Sequence, residues 1–274
     1  MAVGDVSVSI IRPKALTGRI FNGVNAAGGN YLTGTIAGSD NQRFLGADKD
    51  FSVSAWVFHE LVSGTQSQNY IDARDASGDG WYFFENTNSK LTMTLDAVAT
   101  ASSTLLASRT WYHVAATIDR NGNSQLYIKG AVDGSAVAIN SEVMAIAGNQ
   151  ITIGGRNFTT PANSMKGALR HVKIWNAHLS AQDILDDYNK GSTSKDAKNL
   201  VNHWKLTEDL NDSSTHPMKI NLTDNNSSFI GAREENAAKA IRAMRVSFGS
   251  SPIAEYMVAA TEQGDVVLVG IDDA

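Results

Sequence analysis

Apolar and polar residues alternate along several short stretches of this chain, most clearly over residues 51–58. Successive side chains of a β-strand point to opposite faces, so a period of two predicts a strand with one buried face. The apolar face of this predicted strand consists of Phe51, Val53, Ala55 and Val57. The opposite face is mixed in character and consists of Ser52, Ser54, Trp56 and Phe58.

Two further pairs of stretches are typical of antiparallel hairpins. Residues 81–84 and 91–95 are strand-like, and the residues between them are polar and turn-prone. Residues 111–118 and 124–129 flank an Asn-Gly step at 121–122, where both residues tolerate the positive φ angles of a tight turn. Short strands that recur with turns between them, without a helical repeat, predict an all-β antiparallel sandwich.

One stretch departs from this pattern and predicts a short helix over residues 180–189. Ser180 is a favourable N-cap, and Asp183 three residues later completes a capping box. Leu179 can pack against Ile184 across that cap, and Gly191 stands where a glycine commonly ends a helix. We therefore expect one helix, lying against the edge of the sandwich.

The chain is expected to divide into a main domain at 1–232 and a C-terminal appendage at 233–274. Within the appendage, the alanine-rich residues 234–245 predict a short helix, and two apolar stretches after it predict a β-hairpin. A two-stranded hairpin is only marginally stable alone, and an open apolar edge generally marks an interface. We therefore expect it to mediate assembly into a homo-oligomer or larger particle, with packing on its own sandwich as the alternative. The residues assigned to this contact are Ile253, Met257, Val258, Val267 and Val269.

Four segments in the middle of the chain carry a family resemblance: residues 111–119, 126–130, 151–155 and 166–176. Their order and spacing resemble the laminin-G-like family of concanavalin A-like lectin and glucanase jelly rolls. The resemblance extends from about residue 19 to residue 191. It implies a two-sheet antiparallel jelly-roll sandwich, and a fold that usually binds a ligand and only sometimes catalyses a reaction.

One segment stands outside the order of that family. Residues 199–206 and 212–214 resemble the segment that usually opens such domains, but here they follow the predicted helix. The strand either folds back into the same sandwich or begins a second, truncated unit. Because the chain after Phe229 is too short for a second sandwich, we expect residues 199–230 to return to the first one.

Composition and charge argue against several classes of binding partner and of site. The formal net charge is -5 and the basic residues are scattered, which argues against binding to nucleic acid. The absence of cysteine excludes a disulfide scaffold and a thiolate metal site. The first residues do not resemble a secretory signal, and no apolar run reaches membrane-spanning length. We therefore expect neither a signal peptide nor insertion into a membrane.

The sequence offers no pattern that is typical of catalysis. A retaining glycosidase needs two carboxyl groups about 5 Å apart, and no strand carries the alternating acidic residues that would supply them. The histidines at 113, 171, 178 and 203 lack the spacing of metal ligands, and we interpret each of them as structural. We therefore expect a protein that is not an enzyme.

The candidate ligand residues lie around one predicted turn. Asp72, Asp75 and Asp79 supply hard oxygen donors, and the family resemblance implies that such residues can hold calcium at the rim of the sandwich. The favoured alternative is that they are solvated turn residues. Trp81 and Tyr82, beside Asp79, are the candidates for stacking on a sugar, although strand alternation places at least one of the two rings in the core.

These features favour a non-catalytic binding or structural module. The first hypothesis is a surface protein of a phage virion, of the decoration or fibre type, that contacts other virion subunits. Assembly in the host cytoplasm would reconcile an extracellular type of module with a missing signal peptide. The alternative is a free extracellular lectin that binds cell-surface glycans, and a glycoside hydrolase is the third hypothesis.

Overall fold

The computed structural model divides the chain into two compact units, Met1–Ile230 and Gly231–Ala274. It describes residues 18–25, 29–36, 49–60, 66–75, 77–139, 150–157, 161–207, 209–217, 219–225, 228–229, 255–260 and 266–271. Within these residues, the first unit contains two large β-sheets, a small two-stranded sheet and two helices. The second unit contains a single two-stranded sheet over the same described part of the chain.

The first large sheet has nine strands in the described part of the chain. Seven of them follow one another across the sheet, in the order β10 (Ala131–Val132), β9 (Asn123–Ile128), β8 (Trp111–Ile118), β3 (Phe51–His59), β15 (Lys166–Trp175), β1 (Arg19–Asn22) and β18 (Ser228–Phe229). In addition, β11 (Val137–Ala138) pairs with β9, and β16 (Leu200–Trp204) pairs with β15. Residues 199–230, which were expected to return to the first sandwich, therefore supply β16 and β18 to this sheet.

The second large sheet has seven described strands. Their order is β17 (Thr223–Asn225), β2 (Tyr31–Thr35), β12 (Gln150–Ile153), β4 (Gln68–Asp72), β5 (Trp81–Glu85), β6 (Lys90–Leu95) and β7 (Val98–Leu105). A small sheet of β13 (Arg156–Asn157) and β14 (Pro161–Ala162) stands apart from it. Neighbouring strands are antiparallel in both large sheets, which confirms the predicted jelly-roll sandwich.

The hydrophobic core contains side chains from both large sheets. All four residues of the predicted apolar face of β3 are buried in it, which confirms the faces read from the alternation. Trp204 of β16 and Leu206 after it are also fully buried in this core. The Trp204 indole nitrogen donates a hydrogen bond to the Ile220 carbonyl at 2.6 Å, so burial of this ring leaves no unpaired donor.

The predicted helix is α1 (Ala181–Lys190), and a second, four-residue helix follows as α2 (Asp196–Asn199). The capping box of Ser180 and Asp183 is present, and Gly191 ends α1 in the left-handed conformation with φ of 70°. Leu179 and Ile184 are buried against Trp175 of β15, in a cluster separate from the main core. The helix therefore lies on the outer face of the nine-stranded sheet. Neither described helix is long and apolar enough to span a membrane.

The second unit contains β19 (Glu255–Ala260) and β20 (Val266–Ile271), which pair as an antiparallel hairpin. Met257 lies opposite Val269, and Ala259 lies opposite Val267. The hairpin that the sequence predicts is therefore present. Ile253 and the predicted helix at 234–245 lie outside the described residues.

Candidate functional site

Trp81 and Tyr82, the predicted sugar-stacking residues, differ in their environments. Trp81 is fully buried and packs against Phe51, with the two ring centroids 5.1 Å apart. Because a fully buried ring has no surface for a sugar, the interpretation of Trp81 as a ligand contact is wrong. Tyr82 is half-buried, and the Arg74 guanidinium lies 3.5 Å from its ring centroid while the Phe84 ring stacks on it at 4.5 Å. The contacts of the Tyr82 ring are thus made within the protein.

The aspartates predicted to bind calcium make separate local contacts. Asp72 forms an ion pair with Arg74. Asp75 accepts hydrogen bonds from the backbone N–H groups of Gly78 and Asp79, at 2.9 and 3.0 Å, and so closes the turn before β5. Among the described residues, no three His, Asp or Glu side chains are grouped so that they could hold a metal ion. Asp75 and Asp79 therefore lie in the turn before β5, as the favoured alternative has it, whereas Asp72 is the buried last residue of β4.

A cleft of about 430 Å³ opens on the outer face of the nine-stranded sheet, beside the C-terminal end of α1. Its lining comes from β3, β15, β16 and α1, and consists of Trp56, Arg170, His171, Lys173, Asp187, Tyr188, Lys190, Gly191 and His203. The ligand and metal residues predicted from the sequence are not among them. The cleft is therefore a second candidate site, found from the structure.

A β-bulge in β15 turns two consecutive side chains toward this cleft. The pairing of β15 with β3 shifts register between Arg170 and Lys173. Leu169 and Val172 are buried in the main core, whereas Arg170 and His171 between them both line the cleft. A regular strand would direct one of these two side chains inward, and a bulge is the usual way to re-aim one. His171 has a φ of 49°, in the left-handed region, which costs a residue with a side chain about 1 kcal/mol or more.

Aromatic rings form one side of the cleft. Trp56 lies opposite Arg170 of β15 and opposite His113 of β8. The rings of Trp56 and Tyr188 stack with centroids 5.7 Å apart and an interplanar angle of 29°. The Arg170 guanidinium lies 5.3 Å from the Trp56 centroid and 4.4 Å from that of Trp111. Trp56 and Tyr188 are both half-buried, so part of each ring remains accessible.

The floor of the cleft is a buried charged network centred on Asp187. Its carboxylate accepts hydrogen bonds from Ser54 Oγ at 2.7 Å, His113 Nε2 at 2.9 Å and Lys173 Nζ at 2.6 Å. Lys173 Nζ also donates to the Gly191 carbonyl at 2.6 Å. Burial alone would raise the pKa of Asp187, but the His113 hydrogen bond and the Lys173 charge hold it well below its usual range. The network therefore ties α1 to β3, β8 and β15 and fixes the shape of the cleft.

Two half-buried histidines form a pair in the cleft. His171 Nδ1 lies 3.2 Å from His203 Nε2. Burial and the nearby Lys173 charge lower the pKa of His171 to about 4 and the pKa of His203 to about 3. Both rings are therefore neutral at pH 7, and each can donate or accept a hydrogen bond. His113 is structural, as expected, whereas His171 and His203 are placed where a ligand can reach them.

Three basic side chains are among the described lining residues of the cleft, in a chain whose formal net charge is -5. They are Arg170, Lys173 and Lys190, and the one carboxylate in the described part of the lining is that of Asp187. Asp186 forms a surface ion pair with Lys190 at 3.1 Å and is not among the described lining residues.

Comparison with known protein families shows the superfamily to which the chain belongs. The model of the concanavalin A-like lectin/glucanases superfamily matches residues 28–185, which is more than half of the chain. The chain belongs to this superfamily. The match confirms the resemblance read from the sequence, and its range includes the whole seven-stranded sheet except β17, together with the first half of α1.

Solved structures of similar fold extend this comparison. A protein of Bacteroides ovatus that is named for carbohydrate binding aligns with a TM-score of 0.58 and 14% identity, over 78% of this chain and 59% of that one. The chain therefore spans less than two thirds of that protein. The heptameric SAP-like pentraxin of Limulus polyphemus aligns with a TM-score of 0.47 and 13% identity, over 63% and 82% of the two chains. At these identities the likeness shows the fold alone. A search of curated protein sequences found no match.

Most residues of the cleft could not be recognised as ligand-binding residues from the sequence. One available signal was Trp56, a large aromatic residue among serines on the face of β3 opposite to the core. Arg170 and His171 gave no such signal, because strict alternation would place one of them inward. His203 lies 32 residues from His171, and only the pairing of β16 with β15 brings the two rings together.

Proposed function

We propose that the chain is a non-catalytic module that binds a glycan in the cleft beside α1. The observation that carries this proposal is the juxtaposition of two half-buried rings, Trp56 and Tyr188, with the polar groups of Arg170, His171 and His203. Sugars combine apolar C–H faces, which pack on aromatic rings, with hydroxyl groups, which need hydrogen-bond partners. A cleft with an aromatic side and a few convergent polar groups suits such a ligand.

The carboxylate content of the described lining supports a role in glycan binding without hydrolysis. Most glycosidases use two carboxyl groups that flank the scissile bond. Among the lining residues that the structure describes, Asp187 is the one carboxylate, and Ser54, His113 and Lys173 already engage it. Its pKa lies well below the usual range, so it is poorly suited to donate a proton as a general acid.

Trp56 provides the test of this proposal. A glycan array would first select a ligand for the full chain, and titration calorimetry would then measure its affinity for wild type and for Trp56→Ala. Truncation of a central aromatic contact commonly costs about 2 kcal/mol, so we expect affinity to fall at least about tenfold.

The matched control for this test is Phe58→Ala. Phe58 lies two residues along the same strand, packs against Trp111 with the ring centroids 5.6 Å apart and the planes tilted, and is not among the described lining residues of the cleft. This variant should bind the glycan as wild type does. An array with no bound glycan, or full binding by Trp56→Ala, would contradict the proposal.

We further propose that the second unit attaches the chain to a larger assembly, as a homo-oligomer or on the surface of a phage virion. The support is the hairpin of β19 and β20, whose sequences are largely apolar. A hairpin of two strands is marginal by itself, and a partner strand can add to either of its edges. A free extracellular lectin is the alternative to this location.

The assembly proposal is tested by deleting residues 246–274. Light scattering after size exclusion would give the mass of the full chain and of the truncated chain, and calorimetry would give their melting temperatures. We expect the full chain to associate, and the truncated chain to be a monomer with an unchanged melting temperature. A full-length monomer whose melting temperature falls on truncation would contradict an assembly role.

A further inference from the structure

We infer that the cleft is selective for uncharged saccharide units, which the His171–His203 pair recognises with one hydrogen-bond donor and one acceptor. This inference rests on the proposed function and deepens it by naming the class of glycan and the residues that select it. Its basis is the contact between the two rings, in which His171 Nδ1 lies 3.2 Å from His203 Nε2. We call the two nitrogens outside this contact, His171 Nε2 and His203 Nδ1, the outer nitrogens.

The contact between the rings fixes the hydrogen-bonding character of the outer nitrogens. A neutral imidazole carries one proton, so one of its nitrogens donates and the other accepts. If His171 donates to His203 across the contact, His171 Nε2 is a bare acceptor and His203 Nδ1 carries a proton. If His203 donates instead, the two roles are exchanged. In both arrangements the pair presents one donor and one acceptor to a ligand.

Backbone contacts hold both residues of the pair in position. The His171 N–H donates to the Lys205 carbonyl at 2.9 Å, and the His203 N–H donates to Asp212 Oδ1 at 3.0 Å. His171 keeps its place with a left-handed φ of 49°, and backbone conformations of this kind cluster at ligand-binding sites. Two neighbouring strands therefore position the pair before a ligand arrives.

The outer nitrogens are available to a ligand. Within the described part of the chain neither of them has a hydrogen-bond partner, and both side chains are half-buried. His113 Nδ1 differs from them, because it is fully enclosed and has no partner. A polar atom in a partly desolvated cleft gains from a ligand group that matches it, and loses when a ligand covers it without a match.

Uncharged sugars match the donor and the acceptor of this pair. Hydroxyl groups both donate and accept, and an acetamido group carries an N–H donor beside a carbonyl acceptor. A carboxylate or a sulfate offers acceptors only, so it would leave the bare outer nitrogen without a donor.

The lysines of the lining are already paired with carboxylates. Lys173 is paired with Asp187 at 2.6 Å in the floor of the cleft. Lys190 is paired with Asp186 at 3.1 Å at its rim. An acidic group that entered the cleft would lose hydration and would have to compete with these carboxylates. The pairing therefore favours a ligand without charge.

Protonation of the histidine pair would remove its acceptor. The titratable and charged groups around the pair are Arg170 and Lys173 on β15, His113 on β8, Lys205 after β16, and Asp187 and Lys190 on α1. Burial, aided by the Lys173 charge, lowers the pKa of His171 to about 4 and that of His203 to about 3. Because the neutral pair is the binding form, affinity should be constant between pH 7 and pH 5 and should fall as pH is lowered through about 4.

The experiment compares three tetrasaccharides on the full chain by titration calorimetry. Cellotetraose carries hydroxyl groups, chitotetraose carries hydroxyl and acetamido groups, and tetragalacturonate carries a carboxylate on every unit. We expect at least one uncharged probe to bind about tenfold more tightly than tetragalacturonate, with the same affinity at pH 7 and pH 5. A preference for cellotetraose would identify hydroxyl groups as the matching groups, and a preference for chitotetraose would identify the acetamido group.

Two variants remove the outer nitrogens and keep an amide at the contact between the rings. The asparagine amide takes the place of Nδ1 in His171→Asn, and the glutamine amide takes the place of Nε2 in His203→Gln. Asparagine also tolerates the left-handed φ of position 171. Each variant should weaken binding of the tightest uncharged probe by about threefold or more, and melting temperatures would show that both are folded. The matched control is His178→Asn, an exposed histidine that is not among the described lining residues.

The outcomes separate this inference from the proposed function. If tetragalacturonate binds as tightly as both uncharged probes and Trp56→Ala abolishes that binding, glycan binding stands and the selectivity is wrong. If an uncharged probe binds and Trp56→Ala weakens it, but both histidine variants leave it unchanged, glycan binding stands and the pair does not select the ligand. A change in affinity of more than about twofold between pH 7 and pH 5 would also contradict a neutral pair. If none of the three probes binds, the inference fails, and the array test with Trp56→Ala decides the proposed function on its own.

Discussion

Removal of the Asp187 carboxylate tests the buried network below the cleft. In Asp187→Ala, three donors lose their acceptor: Ser54 Oγ, His113 Nε2 and Lys173 Nζ. The lysine dominates the cost, because its side chain is only 2% exposed and would stay buried as a cation beside one backbone carbonyl. Breaking a buried ion pair in this way typically costs about 3–5 kcal/mol, and we expect the first unit to lose that much of its free energy of unfolding.

Urea unfolding followed by circular dichroism would measure this loss, and the melting temperature should fall by roughly 6–20 °C. The matched control is Asp186→Ala, the neighbouring residue of the same helix, whose partner Lys190 is 65% exposed; it should cost less than about 1 kcal/mol. The double variant Lys173→Met/Asp187→Leu should recover most of the stability, because apolar residues often replace a buried pair without loss. If Asp187→Ala costs no more than the control, the network does not hold α1 on the sheet.

Three further variants, two single and one double, probe the sandwich and the histidine pair. Trp204→Ala removes a fully buried ring and should cost about 3–5 kcal/mol in urea unfolding; a cost below about 1 kcal/mol would contradict its place in the core. Gly167→Ala should lower the melting temperature, because φ is +138° and the new Cβ would lie 1.9 Å from the Phe58 carbonyl oxygen; an unchanged melting temperature would contradict that close approach. The pKa values of His171 and His203, about 4 and about 3, lie below the 6.5 of an unfolded histidine. The native state therefore binds fewer protons than the unfolded state, and the free energy of unfolding should fall as pH falls from about 6.5 to about 3. This fall should be less steep in the double variant His171→Asn/His203→Asn. Equal slopes of the free energy of unfolding against pH, measured by urea titration, would refute this.

The strands of the sandwich were predictable because their alternation has a period of two. On β3, Phe51 and Val53 are buried in the core while Ser54 and Trp56 face α1, as the pattern indicates. The capping box of α1 was equally predictable, because all of its partners lie within a few residues of one another. Local sequence patterns thus indicate where these strands and this helix lie.

The cleft was not predictable, because its residues come together only through tertiary pairing. The alternation in β5 left open which of Trp81 and Tyr82 faces inward, and the structure buries Trp81. The bulge in β15 breaks the alternation at Arg170 and His171, and nothing in the local sequence marks it. Asp187 contacts Lys173 of β15, 14 residues away in the sequence, and His113 of β8, 74 residues away.

The central claim is that a glycan binds between α1 and the nine-stranded sheet. The most direct measurement is a two-dimensional NMR titration of the full, isotope-labelled chain with the glycan that the array selects, following assigned backbone and imidazole signals. The account predicts that the signals of His171, His203 and Lys190 shift together and that those of Arg74 and Tyr82 stay in place. Shifts centred on Arg74 and Tyr82 of the opposite sheet, with the cleft signals unmoved, would contradict it.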